Sequence, residues 1–567
     1  MTRKNTRLFS LVTLAIMVTL LASCAGPATP TQQPAPAVET QAPPAAPAET
    51  VAPAAPTQAA APTQAPAPTA ASGEVPRSEV FVYAHPTTFP DLNPATSYSN
   101  DLVVMANCYE ALTFYNPPGS KEIIAPKLAV SWEANPESTE WTFKLRQGVK
   151  FQDGEPFNAA AVKYSIEKIR ELGVGASYIW SPVESIEVVD DYTVKFKLSY
   201  AAPLDLISSA NYAAWIFSPK AYEEKGADWF NEGHCAGTGP YMIESYERGS
   251  RLVMTRFDDY WGGWKPGQFK KVVYELIEDP TVLQQKIESG DADFTYQVAP
   301  DNLPALRQRS DLKVYSNPAF QNLVGLLNTV KPPLDNKLVR QALAYSFPYE
   351  QFIKGVMGDR ATQSYGVVPA GMWGFSTDIP QYKQDLDKAK ELLTQAGHPD
   401  GGFKLLLTFA TGDQDEQQLG ELWKADLAKL GIDLEIQGLN WEAQWDLGKS
   451  DPQKAQDIFV MYWWPDLISP YSFLYSMFHS EEQTLFNLDY YKNPEFDKLI
   501  DQANEVSGVD RQKAAQMFIQ AQGILYNDAP TLVFYDLANT HIARTDIKGF
   551  VDNPAYPHVV FVYDLTR

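Results

Sequence analysis

Over residues 78–567 short apolar runs alternate with amphipathic stretches. VFVYA (80–84), KLLLTFA (404–410), DLEIQGL (433–439) and TLVFY (531–535) have strand length and are rich in β-branched, aromatic and leucine side chains. Between such runs the period changes. In 385–396, Leu386, Ala389, Leu392, Leu393 and Ala396 recur at helical spacing, and Gly397 supplies a stop. In 336–345, Leu338, Val339, Ala342 and Leu343 share one helical face. Interleaved strands and helices predict mixed α/β lobes. A chain of 567 residues exceeds what one core usually serves, so two or more lobes are expected. No internal repeat stands out.

The pattern is different at the start. Arg3, Lys4 and Arg7 precede the apolar run LFSLVTLAIMVTLL (8–21), which is short for a membrane span and is followed by Leu21-Ala22-Ser23-Cys24. This order resembles the lipobox of bacterial lipoproteins, implying a signal peptide over 1–24 and lipidation at Cys24. Residues 25–77, as in QAPPAAPAETVAPAAPTQ, are mainly Pro, Ala, Thr and Gln and cannot bury a core; an extended, disordered tether is expected. The resulting picture is an extracytoplasmic body anchored to the outer face of the cell membrane.

Composition narrows the functional classes. Apolar residues at 45% and aromatics at 12% indicate a globular body, and the net charge of −23 without any run of Lys or Arg argues against a nucleic-acid partner. There is no GxSxG, HExxH, P-loop or CxxC, and the histidines at 85, 234, 398, 479, 541 and 558 share no ligand spacing on one helix. Neither an enzyme nor a metal or other cofactor is therefore expected. Gly237-Thr238-Gly239, followed by Pro240, reads as a tight turn before YMIESYE. With Cys24 lipidated, Cys108 and Cys235 remain as an even pair, open to a disulfide or to two buried thiols.

The stretch IFVMYWWPDLISPYSFLYSMF (458–478) is almost wholly apolar, yet carries Asp466 in its middle. Burying a lone carboxylate there costs several kcal/mol, on the order of that of any unpaired ion, unless a cation or donor meets it. The partner is either a ligand or the backbone of a helix that Asp466 would cap at 471–478.

A longer segment, PKLAVSWEANPESTEWTFKLRQGVKFQDGEPFNAAAVKYS (126–165), closely resembles the signature of the family 5 extracellular solute-binding proteins, the oligopeptide, dipeptide and nickel binders of ABC importers. GTGPY (237–241), YWGG (260–263), LLNTVKPPLDNKLVRQALAYS (326–346), DKAKELLTQAGHPDG (387–401), NPEFDKLI and DAPTLVFY follow in that family's order. Gln152 departs from it, standing where a histidine is usual.

The resemblance implies an α/β, two-lobed periplasmic-binding-protein-like clamp of class II type, in the large family 5 variant. Residues 78–319 and the return segment 536–567 would form lobe I and 320–535 lobe II, with two hinge-crossing strands between them. Such a monomeric carrier closes on a ligand and delivers it to an ABC permease. In the oligopeptide branch the form W-x-x-D-x-x-x-P-x-S-F-L places its Asp on the ligand's α-ammonium, and 463–474 meets every fixed position. Asp466 is thus the expected ammonium partner, with Trp463 and Trp464 beside it and Trp441, Trp445 and Tyr462 as further cleft candidates. Phe320, Gln321 and Asn322 would come from the first crossing strand, and Thr87, Thr88 and Phe89 from the loop at the cleft mouth. Di- or oligopeptides are the expected ligands, with oligosaccharides stacked on tryptophans as the alternative.

Overall fold

The computed structural model describes residues 75–465, 467–482 and 484–567, so the signal with Cys24, residues 25–74 of the expected tether and Asp466 lie outside it, while Arg77 at the tether's expected end pairs with Asp293. Its largest sheet has eleven strands. Along the sheet they run Ile432–Leu439, Phe403–Ala410, Ile458–Trp463, Leu312–Leu327, Thr531–Arg544, Phe294–Thr295, Val80–His85, Lys271–Leu276, Arg251–Arg256 and Tyr241–Glu247; Ala361–Thr362 adds a short partner to Thr531–Arg544. A separate antiparallel sheet is built from Ala129–Ala134, Glu140–Leu145, Thr193–Leu198 and Val183–Asp190, with helix Ala159–Leu172 against it.

The local signals explain the element ends. Helix Leu386–Gln395 begins where the Asp385 carboxylate accepts the Lys388 N–H at 2.8 Å, and Gly397 just beyond it takes φ 91°. Helix Lys337–Ser346 is capped by Asn336, whose side-chain oxygen accepts from the Leu338 N–H. Both bury the apolar face that their spacing defines, as Ala389, Leu392 and Leu393 and as Val339, Ala342 and Leu343.

Two long strands join the two halves of the large sheet. Leu312–Leu327 and Thr531–Arg544 pair antiparallel in three blocks, one ending at Pro318 opposite Ala538, the next starting at Asn322 opposite Asp536, and the third starting at Val324 opposite Val533. Ala319, Phe320 and Gln321 are therefore opposed by Leu537 alone, and Leu537 pairs with Ala361 instead. This extra length forces a bulge, and a bulge re-aims side chains out of the ladder.

Three of the motifs that carry the family resemblance, 126–165, 237–241 and 260–263, meet around two polar nodes, one at buried Glu110 and one at half-buried Gln152. The Glu110 carboxylate accepts from Thr238 Oγ1 (2.8 Å), Tyr260 OH (2.9 Å) and Trp261 Nε1 (2.7 Å), and Lys127 Nζ lies 3.1 Å away. Gln152 donates Nε2 toward the carbonyls of Cys108, Gly239 and Tyr241 and accepts the Gly237 N–H on Oε1. The two glycines of the GTG turn have a steric reason: a Cβ on Gly239 would stand 2.6 Å from the Asn107 carbonyl oxygen, and one on Gly237 would strike that of Cys108. The turn lets one backbone approach another. It leads into strand Tyr241–Glu247.

Candidate functional site

The bulge opens onto a cavity of about 280 Å³. Phe320 and Gln321 come to it from strand Leu312–Leu327, Trp464, Pro465 and Ile468 from the end of strand Ile458–Trp463 and its loop. Facing them are Tyr98, Asn211, Asn539 and His558 from three distant parts of the chain. Among the described residues the lining holds no Lys, Arg, Asp or Glu. It is a wall of aromatic rings, prolines and neutral amides.

His558 belongs to the neutral set. Burial, reinforced by the neighbouring rings of His541 and His85, drives its basicity well below the ordinary histidine range. Its ring stacks on Tyr296 at 3.9 Å, its Nδ1 lies 3.3 Å from His541 Nε2, and Tyr83 OH donates to its carbonyl at 2.9 Å. With φ at 59° it occupies the left-handed region, a conformation that these contacts hold in place. His541, buried as well, is pushed down to about 3, while burial raises nearby Asp552 to about 7. Among the described residues no group of three or more His, Cys, Asp or Glu side chains is placed to hold a metal.

The residues expected at the site divide into several sets. Trp464, 52% exposed, lines the cavity with Phe320 and Gln321, although Phe320 is itself buried and packs edge-on against Tyr115. Trp463 alternates to the other side of its strand, as strand pairing requires, and meets Phe486 at 5.7 Å. Trp445 packs on the same Phe486 and on Phe459, and Trp441 lies 5.3 Å from Trp445, so these three tryptophans gather around Phe459 and Phe486.

Three of the expected residues are engaged within the fold. Phe89 is 1% exposed and turns inward against His85 and Tyr274, leaving the half-buried Thr87 and the exposed Thr88 as the outer part of its loop. Asn322 is fully buried, where its Nδ2 donates to the Val367 carbonyl at 2.8 Å. Tyr462 spends its hydroxyl on Tyr535 OH at 2.8 Å, tying two strands of the sheet together. Asp466 lies outside the described residues. The cap of helix Pro470–Phe478 is Ser469, whose side chain accepts the Tyr471 N–H.

Tyr98, Asn211, Asn539 and His558 were not legible as site residues. They sit on loops or on the return strand, and nothing in the periodicity of their neighbourhoods marks them. The one usable signal was NPAYPH (553–558), a proline-bounded loop of the same kind as HPTTFPDLNP (85–94).

The profile of the bacterial extracellular solute-binding proteins, family 5, matches residues 124–484. The chain belongs to this family. It is 31% identical over 484 residues to the probable D,D-dipeptide-binding periplasmic protein DdpA of Escherichia coli (strain K12), covering 84% of this chain and 92% of that one. Identity to the dipeptide-binding protein of the same organism is 28%, over 78% of this chain and 86% of the relative. Among solved structures, the periplasmic binding protein DppA from Helicobacter pylori in complex with peptide STSA superposes with a TM-score of 0.69 at 24% identity, covering 86% and 98% of the two chains. The fold of this family 5 protein is accordingly the two-lobed α/β clamp, and Leu312–Leu327 and Thr531–Arg544 are the two long paired strands of its large sheet.

Proposed function

We propose that this solute-binding protein captures di- or oligopeptides in the cavity behind Trp464 and Gln321 and delivers them to an ABC importer. The observation that supports this reading most is the cavity's composition, rich in rings and amides, in a chain 31% identical to a relative named as a D,D-dipeptide binder. Neutral amides can hold a peptide main chain through hydrogen bonds that ignore side-chain identity, and rings supply apolar contact. The relatives' names favour peptides over oligosaccharides.

Residues 78–319 with 536–567 act as one lobe and 320–535 as the other. Asp466 meets the peptide's α-ammonium, where enclosure between rings strengthens the attraction. Cys24 carries the lipid that holds a monomeric carrier at the outer face of the membrane, and 25–77 is its tether. The extracytoplasmic location agrees with the family's description and with the periplasmic relatives.

Calorimetry on Asp466→Ala tests the ammonium contact. Peptides with a free amino terminus should lose at least tenfold in affinity, and N-acetylated peptides should lose little. Unchanged affinity for free-amino peptides would remove Asp466 from the site.

A further inference from the structure

Asn211 is 3% exposed and lines the cavity from the lobe opposite Trp464. Its Nδ2 donates to the Ala555 carbonyl at 3.0 Å. A main-chain carbonyl only accepts, so this bond fixes which end of the amide is nitrogen. The other end is then Oδ1, and among the described residues Oδ1 has no hydrogen-bond partner. The loop that holds the amide belongs to the same wall, because Pro554 and Pro557 on either side of Ala555 also line the cavity. A buried acceptor left without a donor is costly, and native proteins almost always supply one. The side chains that share the cavity do not satisfy it.

We propose that Asn211 Oδ1 is the acceptor for a main-chain N–H of the bound peptide, the α-ammonium being left to Asp466. The assignment rests on the peptide reading above and sharpens it. Asn211 lies on the wall opposite Trp464, so a ligand gripped by both would span the lobes. The donor would reach Oδ1 only when the cleft closes on it, linking recognition of that N–H to closure. At Asn211 itself, discrimination depends on hydrogen-bond direction, because a neutral amide oxygen can only accept.

The test is calorimetry with three probes on the wild-type protein and on Asn211→Leu, which keeps the side chain's volume and removes the acceptor. The probes are L-alanyl-L-alanine, its ester-linked analogue lacking the amide N–H, and its desamino analogue lacking the ammonium. Wild type should lose roughly tenfold in affinity for the ester-linked analogue, and the variant should bind that analogue and the parent equally. Identical preference ratios in variant and wild type would overturn the role of Asn211 while leaving the peptide reading intact. Should Asn211→Leu fail to fold, the wild-type arm still decides, because equal binding of the parent and the ester overturns the proposal. If the wild type binds neither L-alanyl-L-alanine nor, in an added titration, D-alanyl-D-alanine, the peptide reading fails, and this assignment with it.

Discussion

Arg511 and Asp205 are ion-paired across 306 positions of sequence, with Nη2 of Arg511 2.9 Å from each oxygen of the Asp205 carboxylate. Asp205 lies on the short helix Leu204–Ile207, and Arg511 opens helix Arg511–Asp528. By the lobe boundaries proposed above the pair bridges the two lobes. Nearby, Gly508 abuts Ser138 and Trp141 so closely that a Cβ there would stand 2.6 Å from Ser138 Oγ. The Asp205 side chain is 8% exposed, so this is a nearly desolvated contact rather than a surface pair.

Removing one partner of such a pair strands the other's charge. Arg511→Met should lower unfolding stability by about 3 kcal/mol and enlarge the radius of gyration of the ligand-free protein in solution scattering. Adding Asp205→Asn should recover part of the stability, since the stranded carboxylate is then gone. A single variant as stable and as compact as wild type would refute the bridging role.

Gln152 should matter to folding and not to binding. Its amide serves three carbonyls and one N–H at a node of lobe I. Gln152→Ala removes all four bonds and leaves the Cys108 carbonyl only the one it accepts from the Gly239 N–H, so a loss of about 2 kcal/mol is expected. Peptide affinity of the folded fraction should be unchanged. Gln152→His, the residue usual in the family, should fall between alanine and wild type in denaturant melts.

Asp536 gives a pH signature. It is fully buried in strand Thr531–Arg544, accepts from Ser364 Oγ (2.5 Å) and the Ala370 N–H (3.0 Å), and burial raises it to about 7. A folded-state value above the unfolded one, near 3.8, means that the native state holds the extra proton between those limits. Its contribution to stability is complete below about pH 4 and is lost as pH rises through about 7. In Asp536→Asn, Oδ1 can accept from Ala370 and Nδ2 can donate to Ser364 Oγ, with no proton to lose. The melting temperature of the variant relative to wild type should therefore climb between pH 5 and pH 8. A constant difference across that range would contradict the assignment.

Trp464 and Phe320 line the same cavity yet should behave oppositely. Trp464 is half exposed, and Trp464→Ala should shift stability by no more than about 0.5 kcal/mol while weakening peptide binding about tenfold through lost ring contact. Phe320 is 3% exposed, and Phe320→Ala should cost about 3 kcal/mol of stability. Thermal melts paired with titrations separate the two cases.

Cys108 and Cys235 are both buried, with their sulfurs 2.7 Å apart, and the structure carries them as thiols. In the oxidising compartment proposed for the mature protein, such a juxtaposed pair should bridge. Alkylation in denaturant without reductant should then leave both unlabelled. Two labels would mean free thiols in the native protein.

Much of the local structure was written in the chain. The capped helix after Asp385, the one after Asn336, and the strands at 80, 404, 433 and 531 follow from apolar period, capping residues and glycine stops, all of which act within a few residues. Family membership was also legible, because its motifs stand at fixed spacing, although those at 126–165, 237–241 and 260–263 brace the interior around Glu110 and Gln152 instead of touching the cavity. Trp464, Gln321 and Phe320, expected at the cleft from their places next to strand ends, line this cavity.

What only the tertiary structure decided was which of these pieces meet. The periodicity of a strand records that a face is buried and not what buries it, so Phe89 could be expected at the cleft mouth when it turns into the core. The bulge at Ala319 to Gln321 exists because Leu537 pairs with Ala361, a strand more than forty residues away from the bulge. Asn211 is oriented by Ala555, and Arg511 by Asp205, each across more than three hundred residues. Local sequence fixes backbone conformation through short-range sterics and hydrogen bonds, whereas a binding site is made where distant segments are forced together by burial of the same core.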